Sequence, residues 1–265
     1  MFPLDPFECA VNQSRSSNSE DLVLLPTLVH ARNGTMRGGT FVEIGAHDGT
    51  SLSNTLMLER CLGWRGVLIE GNPANFALLK SSGRASTMVQ AAVCSADTDP
   101  PVVEFTVTGG PVAGHVGQLT RMHQHRWSFW NRAKGTRNVS CAPMSTLLNR
   151  SGFGEVDIDF LSLDVEGAEA LVLSTVSPSI FKMVLVEMDG SDPAKDERAR
   201  GILRAAGMRR IPSLTLTADQ GVSEVYLRAG LEAREPARDA CTKRASSMGC
   251  HGSVTSTQLR QAIRD

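Results

Sequence analysis

From Thr40 onward, short apolar runs alternate with segments of helical period, and glycine-bearing turns follow several of the runs. FVEIGA (41–46), GVLIE (66–70), TMVQAAVC (87–94), IDFLSLDV (158–165) and FKMVLVEM (181–188) are nearly continuous in apolar residues. A strand with one wet face alternates polar and apolar residues. A continuous apolar run is buried on both faces, as in a parallel sheet covered by helices. Helices are predicted at 51–62, 73–79, 145–150, 168–176 and 193–206, the last ended by Gly207. VVEFTV (102–107), 139–142, 208–214 and SEVYLRA (223–229) supply further strands, the last closing the sheet as a hairpin. This order predicts an open α/β sheet with helices on both faces.

The strand ends from residue 43 to residue 187 must converge on one site, so one domain is expected over 19–229. A helix over 19–32 opens it, with Leu22, Leu25 and Leu28 in helical register and Pro26 as a point of kinking. An irregular arm (1–18) precedes the domain and a polar extension (230–265) decorates it. With 27 basic against 28 acidic residues, the chain lacks the cationic excess of a nucleic-acid binder. Charges interrupt every apolar run before it could span a bilayer, so no membrane span is expected. MFPLDPFECA is too acidic and too weakly apolar for a signal peptide, which favours the cytoplasm. The six cysteines (9, 61, 94, 141, 241 and 250) show neither a CxxC pair nor zinc-ligand spacing. Cys61 and Cys94 sit in apolar runs and are expected as reduced thiols, while Cys241 and Cys250 either stay free or close a small loop.

Open parallel sheets bind ligands beyond the carboxyl ends of their strands. The first such loop, Glu43-Ile44-Gly45-Ala46-His47-Asp48-Gly49, has glycines that turn tightly and admit a ligand close to the backbone. It lacks the GxGxxG of dinucleotide sites and the Lys-Ser/Thr of a phosphate loop, and its acids, Glu43 and Asp48, would repel a pyrophosphate. A carboxylate there suits the amino group of a methionine moiety instead. Glu70 ends the second strand 21 residues beyond Gly49, where an acid can accept ribose hydroxyls. The fourth strand delivers Asp164 and Glu166, both candidates to orient a reacting group or take a proton. Glu187 or Asp189 could join them around a cation, but the acids form no tight cluster in sequence and no metal is expected.

FVEIGAHDGTSLSNT, GVLIEGNP, AAVC, IDFLSLDVEGAEALVL and VLVEM resemble the FkbM family of S-adenosylmethionine-dependent methyltransferases over about residues 19–228. SNSEDLVLLPTL is similar to that family's N-terminal acidic helix, and LDVEGAE is the most specific segment. The resemblance implies a class I methyltransferase, a Rossmann-like, seven-stranded, mostly parallel sheet, and transfer of methyl to a hydroxyl. It places Glu43, Gly45, Ala46, Asp48, Gly49, Glu70, Asn72, Ala91, Ala92 and Asp164 around S-adenosyl-L-methionine. The first-loop acid is more often Asp in that family; Glu43 keeps the charge.

Methylation of a hydroxyl calls for a group that takes its proton, and Asp164, Glu166, His115, His123 and His125 are the candidates. The stretch 108–138 is expected to face the acceptor. It carries Arg121, Arg126, Arg132, Lys134 and Arg137 without an acid from 121 to 137, and it holds Trp127, Phe129 and Trp130. Flat rings suit sugar C–H faces and the bases suit acidic groups, so a glycan or small metabolite is the expected acceptor. A non-catalytic scaffold that keeps a methyltransferase-like sheet is the competing expectation; it predicts no cofactor binding.

Overall fold

The computed structural model describes residues 5–106, 111–126, 135–154, 157–188, 190–218, 221–234 and 254–264. Helix α1 (Pro6–Gln13) starts at Asp5, whose side chain accepts from the amides of Phe7 and Glu8, with Pro6 in the first turn. The stretch expected to be an irregular arm thus contains a helix. Helix α2 (Glu20–His30) runs unbroken through Pro26. Strand β1 (Thr40–Ile44) follows, then α3 (Leu56–Leu62), ended by Gly63 in a left-handed conformation. Strand β2 (Arg65–Glu70) leads into α4 (Pro73–Lys80), where Asn72 caps the amide of Ala74. The third predicted strand divides at Ala91 into β3 (Thr87–Gln90) and β4 (Ala92–Val93). Next come β5 (Val102–Thr106), α5 (Arg121–Arg126), β6 (Thr136–Ala142) and α6 (Met144–Arg150). The chain continues through β7 (Ile158–Leu163), α7 (Glu169–Ser174), β8 (Phe181–Met188) and α8 (Pro193–Ala205). It ends with β9 (Met208–Arg210), β10 (Leu216–Ala218), β11 (Gly221–Arg228) and α9 (Ser256–Arg264).

The main sheet has the order β3-β2-β1-β7-β8-β11-β10, with β9 pairing β11 beside this seven-strand path. Strands β3, β2, β1, β7 and β8 are parallel, and β11 is antiparallel to β8 and β10. This is the Rossmann-like, mostly parallel sheet expected of a class I methyltransferase. The strand order reverses between β1 and β7, which is where such sheets bind ligands. In register, Ile44 lies opposite both Ile69 and Leu163, so the ends of β1, β2 and β7 are level.

Alternation along each strand fills two cores. Phe41, Leu68, Phe160 and Leu185 pack with the α2, α3 and α9 side, whereas Val42, Ile69, Leu161 and Val184 pack with α6, α7 and α8. Val254 and Leu259 carry the C-terminal extension into the first core, and Arg260 pairs with Asp5. A small second sheet, β4-β6-β5, lies beyond the end of β3.

Two disulfides overturn the expectation of reduced thiols at Cys61 and Cys94. Cys9 bonds Cys61, joining α1 to α3, and Cys94 bonds Cys141 beside the β4–β6 pairing; each pair has a Cα separation of 5.6 Å. Apolar neighbours did not distinguish a buried thiol from a buried disulfide, because both are apolar groups. Cys241 and Cys250 lie outside the described residues, as do Trp127, Phe129, Trp130, Arg132, Lys134 and Asp189. Among the described residues, no helix is long and apolar enough to cross a membrane.

Candidate functional site

The level ends of β1, β2 and β7 border an open cleft of about 860 Å³. Its walls include Glu43, Gly45, Ala46, Glu70, Ala91, Ala92 and Asp164, seven of the ten residues expected around the cofactor. Gly45 occupies a point where no other residue fits. Its φ is +84°, and a Cβ there would stand 1.8 Å from the carbonyl oxygen of Asp164. The main chain of β1 therefore turns directly against the end of β7.

Glu70 is 5% exposed. Its Oε2 accepts from the His47 amide at 2.8 Å and its Oε1 from the Asn72 amide at 2.6 Å. Burial pushes its carboxyl up to about 7, against the pull of the backbone amides of Asn72, His47 and Gly71. The three amides take three of the carboxylate's roughly four acceptor sites, so the group keeps acceptor capacity for one ligand hydroxyl. Ala91 and Ala92 reach the cleft because the chain leaves β3 there, with the Ala91 amide bonded to the Glu70 carbonyl at 3.3 Å.

Asp164 is exposed to the cleft and hydrogen-bonded to Glu187. Burial on its other sides, then the charges of Glu187 and Glu166, hold its carboxyl well above the usual carboxylate range. Glu169 braces the turn beyond, accepting from the amides of Val165 and Gly167 at 3.2 and 3.0 Å. Among the described residues, no group of three or more His, Cys, Asp or Glu is placed to hold a metal ion.

Asp48, Gly49 and Asn72 do not line the cleft; they shape it from behind. Asp48 accepts from the amides and hydroxyls of Thr50 and Ser51. Burial pushes its carboxyl up, but those bonds outweigh it and leave the pKa below the ordinary value. A Cβ at Gly49 would meet Leu79 at 2.4 Å, and Asn72 is spent on capping α4. The turn made by Asp48, with an Asn54 amide given to Glu43, explains why the predicted helix at 51–62 begins only at Leu56.

The proton-accepting candidates separate clearly. His115 lines the cleft, as do Asp164 and His47. His123 is 1% exposed, and its Nδ1 stands 3.3 Å from Glu166 Oε2, but neither residue lines the cleft. His125 is exposed on α5 and also lies off the cleft wall. Three non-glycine residues around the site adopt left-handed backbone conformations, namely His47, Leu52 and Glu166 with φ of 48°, 63° and 57°. Such strain costs on the order of 1–3 kcal/mol per residue and gathers where surroundings enforce a functional shape.

Sequence reasoning missed Arg84, whose side chain has no exposure. Its Nη1 donates to the Gly49 carbonyl at 2.8 Å and to Ser53 at 3.2 Å, and its Nη2 donates to Thr55 at 2.8 Å. Its guanidinium also lies 3.1 Å from Glu59 and 3.9 Å from Glu43. Glu43 accepts in turn from Ser53, Thr55 and the Asn54 amide, so one buried cation fixes the whole first loop from behind. Arg84→Met is expected to cost about 3–5 kcal/mol in urea denaturation, because it leaves buried carboxylates uncompensated. A loss below about 1 kcal/mol would show that Glu43 and Glu59 find other partners. No local pattern marks this arginine; its five partners come from distant segments of the chain.

The family model described as methyltransferase FkbM domain matches residues 43–210. Similar solved structures include precorrin-6y C5,15-methyltransferase from Geobacter metallireducens, at 12% identity over 77% of this chain and 86% of that one, with a TM-score of 0.41. An O-methyltransferase from Bacillus cereus in complex with SAH shows 13% identity over 86% and 93% of the two chains, with a TM-score of 0.40. Fibrillarin from Aeropyrum pernix, with natively bound S-adenosyl-L-methionine, shows 10% identity over 77% and 76%, with a TM-score of 0.41. No curated protein matches the chain.

Proposed function

This chain belongs to the methyltransferase FkbM domain family, and we propose that it transfers methyl from S-adenosyl-L-methionine to a hydroxyl of a carbohydrate or small metabolite. The observation that carries this reading is the meeting of a glycine turn at Gly45 with the buried acids Glu43 and Glu70 and the cleft-facing Asp164 on one cleft. The cofactor has a ribose diol and a cationic methionine end but no pyrophosphate, and this donor set suits it. Glu70 accepts from one ribose hydroxyl. Ala91 and Ala92 leave room for the flat face of adenine. Glu43 favours the positive charge of the methionine end, and Asp164 borders the same end as a hydrogen-bonding group. When bound, the cofactor supplies an electrophilic methyl group on a sulfonium.

The remaining walls suit the acceptor. Phe105, Pro111 and Ala113 offer an apolar surface on which the C–H face of a sugar can lie, and they exclude water from the reacting oxygen. The two disulfides favour an oxidising compartment over the cytoplasm, since such bonds persist where glutathione does not reduce them.

Titration calorimetry with S-adenosylmethionine, followed by incubation of the protein with methyl-labelled cofactor and a deproteinised cell extract, tests the reading. Saturable binding at one site per chain and label in alkali-stable ether products are expected. Absence of cofactor binding would leave the scaffold reading standing. Label confined to amines or esters would remove the hydroxyl.

A further inference from the structure

We infer that His115 is the general base of the transfer, the group that takes the proton of the acceptor hydroxyl. The inference rests on the methyl-transfer reading above and assigns the role that reading leaves open. His115 and His47 are the histidines on the cleft wall; His47 belongs to the first loop, whereas the position of His115 is built from both sides by other segments. It forms an antiparallel bridge with Phe105. Around it, the Thr106 amide donates to the Gly114 carbonyl at 3.0 Å and the Val116 amide to the Glu104 carbonyl at 2.9 Å. Beyond it, the amides of Gln118 and Leu119 return to the His115 carbonyl at 2.8 and 3.1 Å.

The same segment is docked on the loop that carries Asp164. Lys195, in the first turn of α8, bonds the Gln118 carbonyl and reaches the Gly167 carbonyl at 3.4 Å. A Cβ on Gly114 would meet that of Glu166 at 3.3 Å, so the two loops touch without room for a side chain between them. The imidazole is thereby held on the wall of the cleft that Asp164 also borders. Its ring is half-buried, and among the described residues its buried Nδ1 has no hydrogen-bond partner.

The rival groups are otherwise occupied: His47, the other histidine on the cleft wall, gives its amide to Glu70 at 2.8 Å and holds its Nδ1 3.8 Å from Asp48 within the first loop. Asp164 shares a hydrogen bond with Glu187, and burial with the charges of Glu187 and Glu166 favours its protonated form, which makes it the weaker candidate to take a proton. Glu166 faces His123 away from the cleft wall, and His125 is exposed elsewhere on α5. The charged groups on the elements packed around His115 are Lys195 from α8, Asp164 and Glu166 from the loop after β7, and Glu104 from β5. Burial and then the Lys195 ammonium lower the His115 pKa from the usual imidazole value, so the ring is neutral and basic at pH 7.

In the step itself, the acceptor oxygen forms its bond to the methyl carbon as the sulfur–methyl bond breaks, and that electron pair stays on sulfur. The hydroxyl proton passes to the His115 imidazole, which carries the positive charge until solvent takes the proton. The products are the methyl ether, S-adenosylhomocysteine and a proton.

The test joins a measurement of the ring to one of the reaction. Carbon-13 NMR of histidine-labelled protein, with His115→Gln as the assignment control, gives the pH at which His115 titrates. Turnover of methyl-labelled S-adenosylmethionine, held saturating at every pH so that the Glu70 titration does not enter, gives the pH profile of the reaction with a deproteinised cell extract. His115 is expected to titrate below the ordinary imidazole range, and the acid limb of the profile is expected to share its midpoint. His115→Gln should bind S-adenosylmethionine within about twofold of the parent while turnover falls about 100-fold or more. Turnover within tenfold of the parent, an equal loss of binding and turnover, or an acid limb that does not follow the His115 titration would each overturn the assignment. If His115→Gln does not fold, the parent protein decides alone by the match or mismatch of the two midpoints. If the parent binds no S-adenosylmethionine, the methyl-transfer reading itself has failed and this inference falls with it.

Discussion

Glu70→Ala is expected to weaken S-adenosylmethionine binding by about 10- to 100-fold while the protein remains folded. On the proposed reading the side chain accepts one ribose hydroxyl beside its three backbone amides, and a hydrogen bond to a charged acceptor contributes about 1.5–3 kcal/mol. Loss of that bond amounts to roughly 10- to 100-fold in affinity at about 1.4 kcal/mol per decade. The alanine variant also strands the amides of His47 and Asn72, which shape the turns on either side of the cleft. A pH dependence follows from the same group. In the free protein the carboxyl titrates at about 7, so it is largely protonated at pH 6 and largely ionised at pH 8. The bound state prefers the ionised form, because a carboxylate accepts hydroxyl hydrogens better than a carboxylic acid does. Affinity should therefore rise with pH up to about 7 and then level off, falling by about tenfold for each unit below. Calorimetry from pH 5 to pH 8 measures this. Affinity that is flat across that range, or a Glu70→Ala protein that binds as the parent does, would remove Glu70 from the ribose site.

The elements that could be read from sequence are those whose causes are local. A buried strand between turn residues announces itself within eight positions, and β1, β2, β7 and β8 lie where their apolar runs predict. Gly45, Glu70 and Asp164 were legible because topology alone carries the end of a parallel strand to the ligand side of the sheet. Relations across the fold were not legible. The guanidinium of Arg84 is drawn into the interior by carboxylates 25 and 41 positions away, and no period or spacing encodes that convergence. Three histidines between 115 and 125 look equivalent as letters; the pairing of β5 with the His115 bridge turns one of them into the cleft. Helix α1 was missed for a different reason. Its Asp5-Pro6 start is a capping signal, but the polar residues that follow outweighed it, and the apolar contacts of Phe7, Ala10 and Val11 are completed by the Cys61 disulfide and α9 from elsewhere in the chain. The competing scaffold reading has no need for an acid at Glu70 raised to about 7 by burial, since an uncommitted strand end would shed that cost by exposing the group.

Reduction of the two disulfides is expected to lower the thermal midpoint by roughly 10 °C or more, with loss of cofactor affinity traceable to one pair only. The bonds close loops with sequence separations of 52 and 47 residues. Chain-entropy reasoning assigns about 4 kcal/mol to each such loop, and typical measured effects are about 2–4 kcal/mol. The two loops do not overlap in sequence, so their effects should add. For a domain of this size each kcal/mol moves the midpoint by about 2–4 °C. The pairs differ in what they hold. Cys9–Cys61 fastens α1 to α3 on the helical side of the sheet, where no cleft residue lies on either helix. Cys94–Cys141 locks β4 to β6 immediately after Ala91, Ala92 and Val93, which form one wall of the cleft. Cys9→Ser/Cys61→Ser should therefore lower the midpoint with little change in S-adenosylmethionine affinity, whereas Cys94→Ser/Cys141→Ser should lower both. Scanning calorimetry with and without reductant reads the first quantity, and titration calorimetry below each midpoint reads the second. A midpoint indifferent to reductant, together with four reactive thiols at these positions in the native protein, would mean that neither bond forms and would return the chain to a reducing compartment. Equal loss of affinity in both double variants would instead mean that the small sheet has no special hold on the cleft, and that the covalent closure beside Ala92 serves stability alone.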